Sequence, residues 1–291
     1  MKSSKSLAAF ASDLGGGYQL YYFVKHNPYL KNYKKFFFLK GDSTSLIKKN
    51  ENNNNLDDLN YDLIICSTSG NDYEKKIIEL ANKKNKQIWV IFDNWTNYKA
   101  RLSYKGKTLL TSKIIVTDKY AYELAKINYK NRSIEISENY FLKYLKKRKM
   151  KIKKTTKKRV VFFSSPESYY YENKGSPKYR ISWEKKEKNN IQNEINYIQN
   201  SDFLKRNINH SFLIRLHPLQ SFLRNDKNFI YKKFIEREKS LETSISSADI
   251  SIGKDSYIMF ITDSLKIPTF SIVKDLYKRE FRVPYPINNL E

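Results

Sequence analysis

Cysteine occurs once in 291 residues, so no disulfide can form within the chain. That residue, Cys66, lies in the apolar run Leu63–Cys66, where a small buried thiol is the expected reading. Long apolar runs are also missing. None approaches the roughly 20 residues of a membrane span, and the apolar part of Met1–Ser12 is too short for a signal peptide, so a cytoplasmic protein is expected. Three ligand signatures are lacking too. The glycines do not form G-x-G-x-x-G, which leaves a dinucleotide site without support. The first glycine and the spacing of a Walker A loop are absent, and no Asp-x-Asp metal motif occurs, so no metal site is expected.

What is present is a globular composition: 40% hydrophobic and 15% aromatic residues, with length enough for each half to bury a core of its own. Only the Asn52–Asn55 tract reads as disordered. The formal net charge of +25 points first to nucleic acid, a membrane surface or an anionic substrate. Lys, Asn, Ile and Tyr are abundant together, however, as A/T-biased coding produces, and Lys then replaces other surface residues everywhere. Eleven Lys or Arg and no acid fall within Lys143–Arg159, and removing those eleven from +25 leaves +14 over the rest. Because the basic residues concentrate in a connector and no recognition module accompanies them, nucleic acid is not an expected partner. The run itself is either a solvated helix extension or a peripheral contact with anionic lipid at the inner membrane face.

Short apolar runs alternate with helical patterns. Ser6–Ala11, Lys35–Leu39, Asp62–Cys66, Gln87–Phe92 and Lys113–Val116 read as strands. Between two of them, Glu74–Lys86 reads as a helix, with Ile77, Ile78, Leu80 and Ala81 on one side, so Asp62–Phe92 forms a βαβ unit. The aromatic stretch Tyr18–Phe23 belongs to a first helix packed on the sheet. After the basic run the alternation restarts: strand Arg159–Phe163, helix Asn189–Asn200, strand Ser211–Leu216, then Ala248–Ile252 and Thr269–Val273 around a helix at Tyr257–Leu265. The expected class is α/β, with Rossmann-like domains at 1–142 and 159–291 joined by a basic connector at 143–158.

Candidate chemistry gathers at strand ends, where open parallel sheets bind ligands. In Ala11–Gly17, Gly15 and Gly16 let a ligand approach the backbone and leave helix N-terminal N–H groups for an anion or a sugar hydroxyl. Asp13 there is either a cap on a tight turn or a base towards an acceptor hydroxyl. In Phe92–Tyr98 and the following Arg101, the residues Asp93, Asn94, Trp95, Tyr98 and Arg101 offer a sugar or nucleobase hydrogen bonds and a stacking surface; the alternative is a structural loop with Asp93 as an N-cap. In Ile214–Leu219, Pro218 stops the strand and holds His217 extended at the sheet edge, beside Arg215, which can pair with phosphate. In Ile252–Tyr257, Gly253 permits a turn, Lys254 adds a cation, Asp255 or Ser256 caps, and the helix start can hold a phosphate. Ser164 and Ser165 occupy the equivalent end of Arg159–Phe163.

Taken together, Arg215–His217–Pro218, Gly253–Lys254–Asp255–Ser256 and Lys266–Ile267–Pro268–Thr269–Phe270 resemble the donor half of bacterial GT-B glycosyltransferases. The His-Pro strand end followed by a serine motif is similar to that of sialyl-, polysialyl- and Kdo-transferases. The run Asp93–Tyr98 with Arg101, followed by Ile114–Asp118, also looks like glycosyltransferase-like proteins of bacterial surface-polysaccharide clusters. The resemblance implies two Rossmann-like domains facing each other across a cleft, with His217 and Ser256 on the donor phosphate. It implies an inverting, metal-independent transfer from a CMP- or UDP-linked sugar to a glycan or lipid-linked acceptor, the nucleotide-sugar being a co-substrate and no cofactor being needed. The Asp/Glu-rich acceptor-side motif of the sialyltransferases does not appear, and Asp13 is assigned as base from its position. Two other readings stay open: an epimerase of the UDP-sugar 2-epimerase type, which needs further carboxylates facing the sugar, and a non-catalytic scaffold subunit of a polysaccharide assembly.

Overall fold

A computed structural model describes residues 5–48, 59–69, 72–149, 157–166, 177–206, 209–237, 240–254, 256–273 and 287–290. The Asn52–Asn55 tract, Asp255 and the basic residues at 150–156 lie outside them. The chain divides into two compact units, Met1–Tyr144 and Leu145–Glu291.

In the first unit the elements run β1 (Ser6–Ala11), α1 (Leu14–His26), β2 (Lys34–Leu39), β3 (Leu63–Cys66), α2 (Tyr73–Lys83), β4 (Ile88–Ile91), α3 (Tyr98–Arg101), the short hairpin β5 (Ser103–Tyr104) and β6 (Lys107–Thr108), then β7 (Lys113–Val116), α4 (Lys119–Asn128) and β8 (Ile134–Ile136). Six strands form one parallel sheet in the order β2-β1-β3-β4-β7-β8. The inner strands are nearly all apolar, and β3 is buried along its whole length, as expected when helices cover both faces of a parallel sheet. α1 packs Leu20, Phe23 and Val24 onto Leu7 and Ala9 of β1. Tyr18 stacks on Phe141 at 4.5 Å and Tyr22 meets Tyr144 at 4.5 Å, so the aromatic stretch is packing material. α2 stops three residues earlier than its apolar pattern suggests, because Asn85 turns the chain in the left-handed region at φ 50°.

Helix α5 (Tyr140–Lys149) crosses the boundary between the units, and the first part of the basic run is therefore helical, with Lys143, Lys146 and Lys147 exposed. The second unit runs β9 (Lys158–Phe163), α6 (Pro177–Asn200), α7 (Asp202–Arg206), β10 (His210–Arg215), α8 (Leu241–Ser247), β11 (Ile250–Gly253), α9 (Tyr257–Ser264), β12 (Thr269–Ser271) and β13 (Asn288–Asn289). Its parallel sheet has the order β10-β9-β11-β12-β13. α6 begins twelve residues before the expected helix start. Its inward positions include Trp183, Glu187, Ile191, Ile195 and Ile198, and the acid at the second of them breaks the apolar stripe on which a sequence reading depends.

The two sheets share one winding. In each, the second strand lies on one side of the first and the third strand on the other, so the order reverses between β1 and β3 and again between β9 and β11. The crevice beyond the C-terminal ends of strands at such a reversal is where open α/β sheets hold ligands. Among the described residues, no helix is long and apolar enough to cross a membrane.

Candidate functional site

At the first reversal, β1 is followed by Ser12 and Asp13 and β3 by Ser67, Thr68 and Ser69. Glu74, in the first turn of α2, is buried between these ends. Its carboxylate accepts the Ser12 N–H at 2.8 Å, the Ser12 hydroxyl at 2.9 and 3.0 Å, the Ser67 hydroxyl at 3.1 Å and the Ser69 hydroxyl at 2.6 Å. Burial pushes the Glu74 carboxyl upward in pKa, and the serine hydrogen bonds work against that shift.

Asp13 is half-buried and caps α1, accepting the Gly16 N–H at 2.7 Å. Gly15, Gly16 and Gly17 thus lie within the first turn of the helix rather than in a loop before it. A Cβ on Gly16 would stand 2.9 Å from the Ser67 Cβ, so only glycine lets the helix start approach β3 this closely. A Cβ on the exposed Gly15 would stand 3.2 Å from Asp93 Oδ2 and 3.5 Å from Asp13 Oδ1, which places both carboxyls over this bare position. The Asp13 pKa is raised to about 7, first by burial and then by the charge of Asp93; the Gly16 N–H and Arg101 oppose the rise, and Glu74 adds to it.

Asp93 follows β4 and is paired with buried Arg101, Oδ1 to Nη1 at 2.6 Å. The same guanidinium donates to the Thr68 hydroxyl at 2.7 Å, the Thr68 carbonyl at 3.2 Å and the Thr96 carbonyl at 2.8 Å. It also donates to Asn94 Oδ1 and lies over the Phe92 ring, 5.3 Å from its centroid. Asp93 is therefore an ion-pair partner and not an N-cap; the residue preceding α3 is Asn97, in the left-handed region. Trp95 donates to Asp118, the cap of α4, at 3.0 and 3.2 Å, and Tyr98 is buried edge-on to Phe92. Of the five residues expected to meet a substrate here, Trp95, Tyr98 and Arg101 are built into the loop's interior. Asn94 is half-buried beside Asp93 at the edge.

At the second reversal, the Ser164 hydroxyl after β9 donates to Gln220 Oε1 at 2.5 Å and accepts the His217 N–H at 3.2 Å. Gln220 is fully buried; its Oε1 also accepts the His217 N–H at 3.1 Å, and its Nε2 donates to buried Glu187 at 2.6 Å. Pro218 opens a short 3-10 turn over Pro218–Arg224, capped by His217. The Leu219 N–H donates to His217 Nδ1 at 3.2 Å, so that nitrogen is the acceptor and the ring proton sits on Nε2. Burial lowers the His217 pKa to about 4, and the ring is neutral at pH 7.

Ser256 occupies the N-cap position of α9 without capping the helix through its side chain, and Ser165 is half-buried beside Ser164. A Cβ on Gly253 would stand 2.4 Å from Met259 Sδ, so the start of α9 closes down on the end of β11. Two expected phosphate cations have other partners. Arg215 faces Glu236 at 3.9 Å, next to the pair from Arg159 to Glu236 at 2.8 Å, and Lys254 pairs with Glu194 of α6. The chain path explains the first: Arg215 is the last residue of β10, and Glu236 is held beside it by its N–H donating to the Ile214 carbonyl at 2.9 Å, whereas His217 is two residues further on, past the strand end. Among the described residues, no three His, Cys, Asp or Glu side chains gather as metal ligands would.

No family model matches this chain, and no curated protein matches it in sequence. Solved structures do match it in shape. UDP-GlcNAc 2-epimerase from Methanocaldococcus jannaschii, in complex with UDP-GlcNAc and UDP, has a TM-score of 0.60 at 11% identity, covering 92% of this chain and 84% of that one. S. aureus MnaA with UDP has 0.57 at 12%, covering 92% and 79%. The wall teichoic acid polymerase TagF, in a variant soaked with CDPG, has 0.55 at 14%, covering 99% and 77%. The fold is GT-B-like. Within that fold, the first unit presents a carboxyl-rich edge and the second a histidine and serine edge.

Proposed function

We propose that the chain is a glycosyltransferase that moves a sugar from a nucleotide-activated donor onto a hydroxyl of a glycan or lipid-linked acceptor. The observation that carries this reading is the Asp13 carboxyl, poised near neutrality at the reversal of the first sheet. A base with that proton affinity is matched to taking a proton from a hydroxyl as it attacks. The acceptor hydroxyl gives its proton to Asp13, its oxygen bonds to the anomeric carbon, and the bond from that carbon to the donor phosphate breaks with its electron pair on the phosphate. The second unit binds the nucleotide. His217 Nε2–H, the Ser256 hydroxyl and the first N–H groups of α9 are neutral donors suited to the departing phosphate, with Ser164 and Ser165 beside them. UDP and CDPG in the similar structures support a nucleotide-activated donor, and a wall teichoic acid polymerase among them supports a place in surface-polymer synthesis. A lipid-linked acceptor would bring the protein to the inner membrane face, where Lys143, Lys146 and Lys147 of α5 meet anionic headgroups.

The test is thermal stabilisation by CMP, CDP, UDP and GDP in the wild type, His217→Ala and Ser256→Ala. One nucleotide should raise the melting temperature selectively, and both substitutions should weaken the effect. Asp13→Asn should keep that nucleotide response and lose about 10²- to 10⁴-fold in turnover. No shift at millimolar nucleotide would remove the transferase reading and leave the scaffold one.

A second reading, a nucleotide-sugar 2-epimerase, is favoured by the Asp93 carboxyl standing with that of Asp13 over the exposed Gly15. Incubation of the UDP-sugar alone in deuterated water separates the two. An epimerase exchanges the hydrogen at sugar C2 without any acceptor, and a transferase leaves it in place.

A further inference from the structure

We infer that Glu74 is the positioning residue for Asp13: it clamps the two chain segments that hold the Asp13 carboxyl and keeps a negative charge near it. The inference rests on Asp13 being the base proposed above. Each tie to Glu74 leads to Asp13 by a short route. Ser12, which gives both its N–H and its hydroxyl to Glu74, immediately precedes Asp13 and carries the end of β1. Ser67, which gives its hydroxyl, is the residue against which Gly16 packs, and the Gly16 N–H is the donor that Asp13 accepts. Ser69 adds a third hydroxyl, its oxygen 3.0 Å from that of Ser12, so the ends of β1 and β3 are tied side by side through one carboxyl.

The ring of partners engages both oxygens of Glu74: the Ser12 N–H can only donate, which makes Oε1 an acceptor, and three hydroxyls, able to donate or accept, complete the ring. The groups facing Asp13 are Asp93 after β4, Arg101 on α3, the Gly16 N–H on α1 and Glu74 on α2. Those facing Glu74 besides the serines are Cys66 of β3 and Tyr73 of α2, whose own ionisation Glu74 opposes. Arg101 bonds to Asp93 and to Thr68, which lies between Ser67 and Ser69, and its charge lowers the Asp13 proton affinity that Glu74 raises.

The experiment uses the full chain with carbon-13-labelled carboxyls and follows the Asp13 titration by NMR in the wild type and in Glu74→Gln. The amide keeps the shape and one acceptor oxygen, and the serine hydroxyls can turn to accept from its nitrogen, so the variant removes the charge with little change of volume. Asp13 should titrate about half a pH unit or more lower in Glu74→Gln, and the acidic limb of turnover should move with it while nucleotide affinity stays as it was. An unmoved Asp13 titration in the folded variant overturns the inference. If the titration moves and no donor is ever turned over, Glu74 still positions Asp13 and it is the transferase reading that has failed. Should Glu74→Gln not fold, the wild-type curves decide. Coupled carboxyls each show an inflection where the other titrates, and a single plain step for Asp13 overturns the inference.

Discussion

The two units brace the same point in their sheets by different means. In each, the first strand ends in a serine at the reversal of strand order, Ser12 after β1 and Ser164 after β9, and in each a buried acid on a helix holds that serine. In the first unit Glu74 touches the serines directly. In the second, Glu187 acts at one remove, through Gln220, whose amide donates to Glu187 and whose oxygen receives Ser164 and His217. The difference is one of charge placement. A carboxylate set against the first edge raises the proton affinity of its neighbour Asp13, which suits a base. An interposed amide gives the second edge the same rigidity while the negative charge stays farther from where a phosphate would sit, which suits a donor site.

The largest effect is expected where the first unit's charges are balanced. Arg101 is buried, and Asp93 is covered by it. Arg101→Met would leave the Asp93 carboxylate buried without its cation and beside Asp13, at a cost of about 3–5 kcal/mol. Urea unfolding should show the midpoint falling accordingly, and an unchanged midpoint would mean that the pair is dispensable. Next comes the second unit's amide. Gln220→Glu makes the second edge resemble the first by bringing a carboxylate against Ser164 and His217. Affinity for the preferred nucleotide should drop about tenfold, or about 1.4 kcal/mol, at pH 7.5 and recover as the pH is lowered and the introduced acid takes up a proton. Calorimetric titration at two pH values reads this directly, and equal affinities in wild type and variant would remove the charge-placement argument.

Much of the fold is legible in the sequence because parallel strands covered on both faces are short apolar runs, and helices between them keep one apolar stripe. Ser6–Ala11 and Lys113–Val116 are strands with the bounds their sequence suggests, and the other strand bounds move by one or two residues. Reading sites is harder. Asp13 and His217 stand out because a strand end followed by glycines, or by proline, is a local signal. Glu74, Glu187 and Gln220 do not stand out, because their importance comes from partners up to 62 positions away. One signal was available: Glu74 shares the spacing of Ile77, Ile78 and Ala81, and Glu187 that of Trp183, Ile191 and Ile195, so both are acids placed on an inward stripe. A charge in that position calls for buried donors, and serines at neighbouring strand ends supply them. Arg215 and Lys254 show the limit from the other side, since the glutamates that face them, Glu236 and Glu194, lie 21 and 60 positions away in the sequence.

The smallest predicted effect follows from the two poised groups having opposite signs. Asp13 holds its proton to about 7 in the folded chain and releases it near 3.8 when unfolded. Between those values the folded state binds more protons, so this group's contribution to stability falls as the pH rises through the window. His217 titrates at about 4 when folded against 6.5 when unfolded. There the unfolded state binds more protons, and the contribution is lost as the pH falls from 6.5 to 4. The two slopes oppose one another between pH 4 and 6.5, and the wild type should show a shallow dependence. Asp13→Asn should leave stability rising with pH and His217→Gln should leave it falling, each by about 1 kcal/mol across the window once solvent screening at these partly open edges is discounted. Urea midpoints from pH 4.5 to 7 measure both. If the two variants sloped the same way, one of the sites would not be buried as described, and the contrast between a protonated carboxyl at the first edge and a neutral imidazole at the second would be lost.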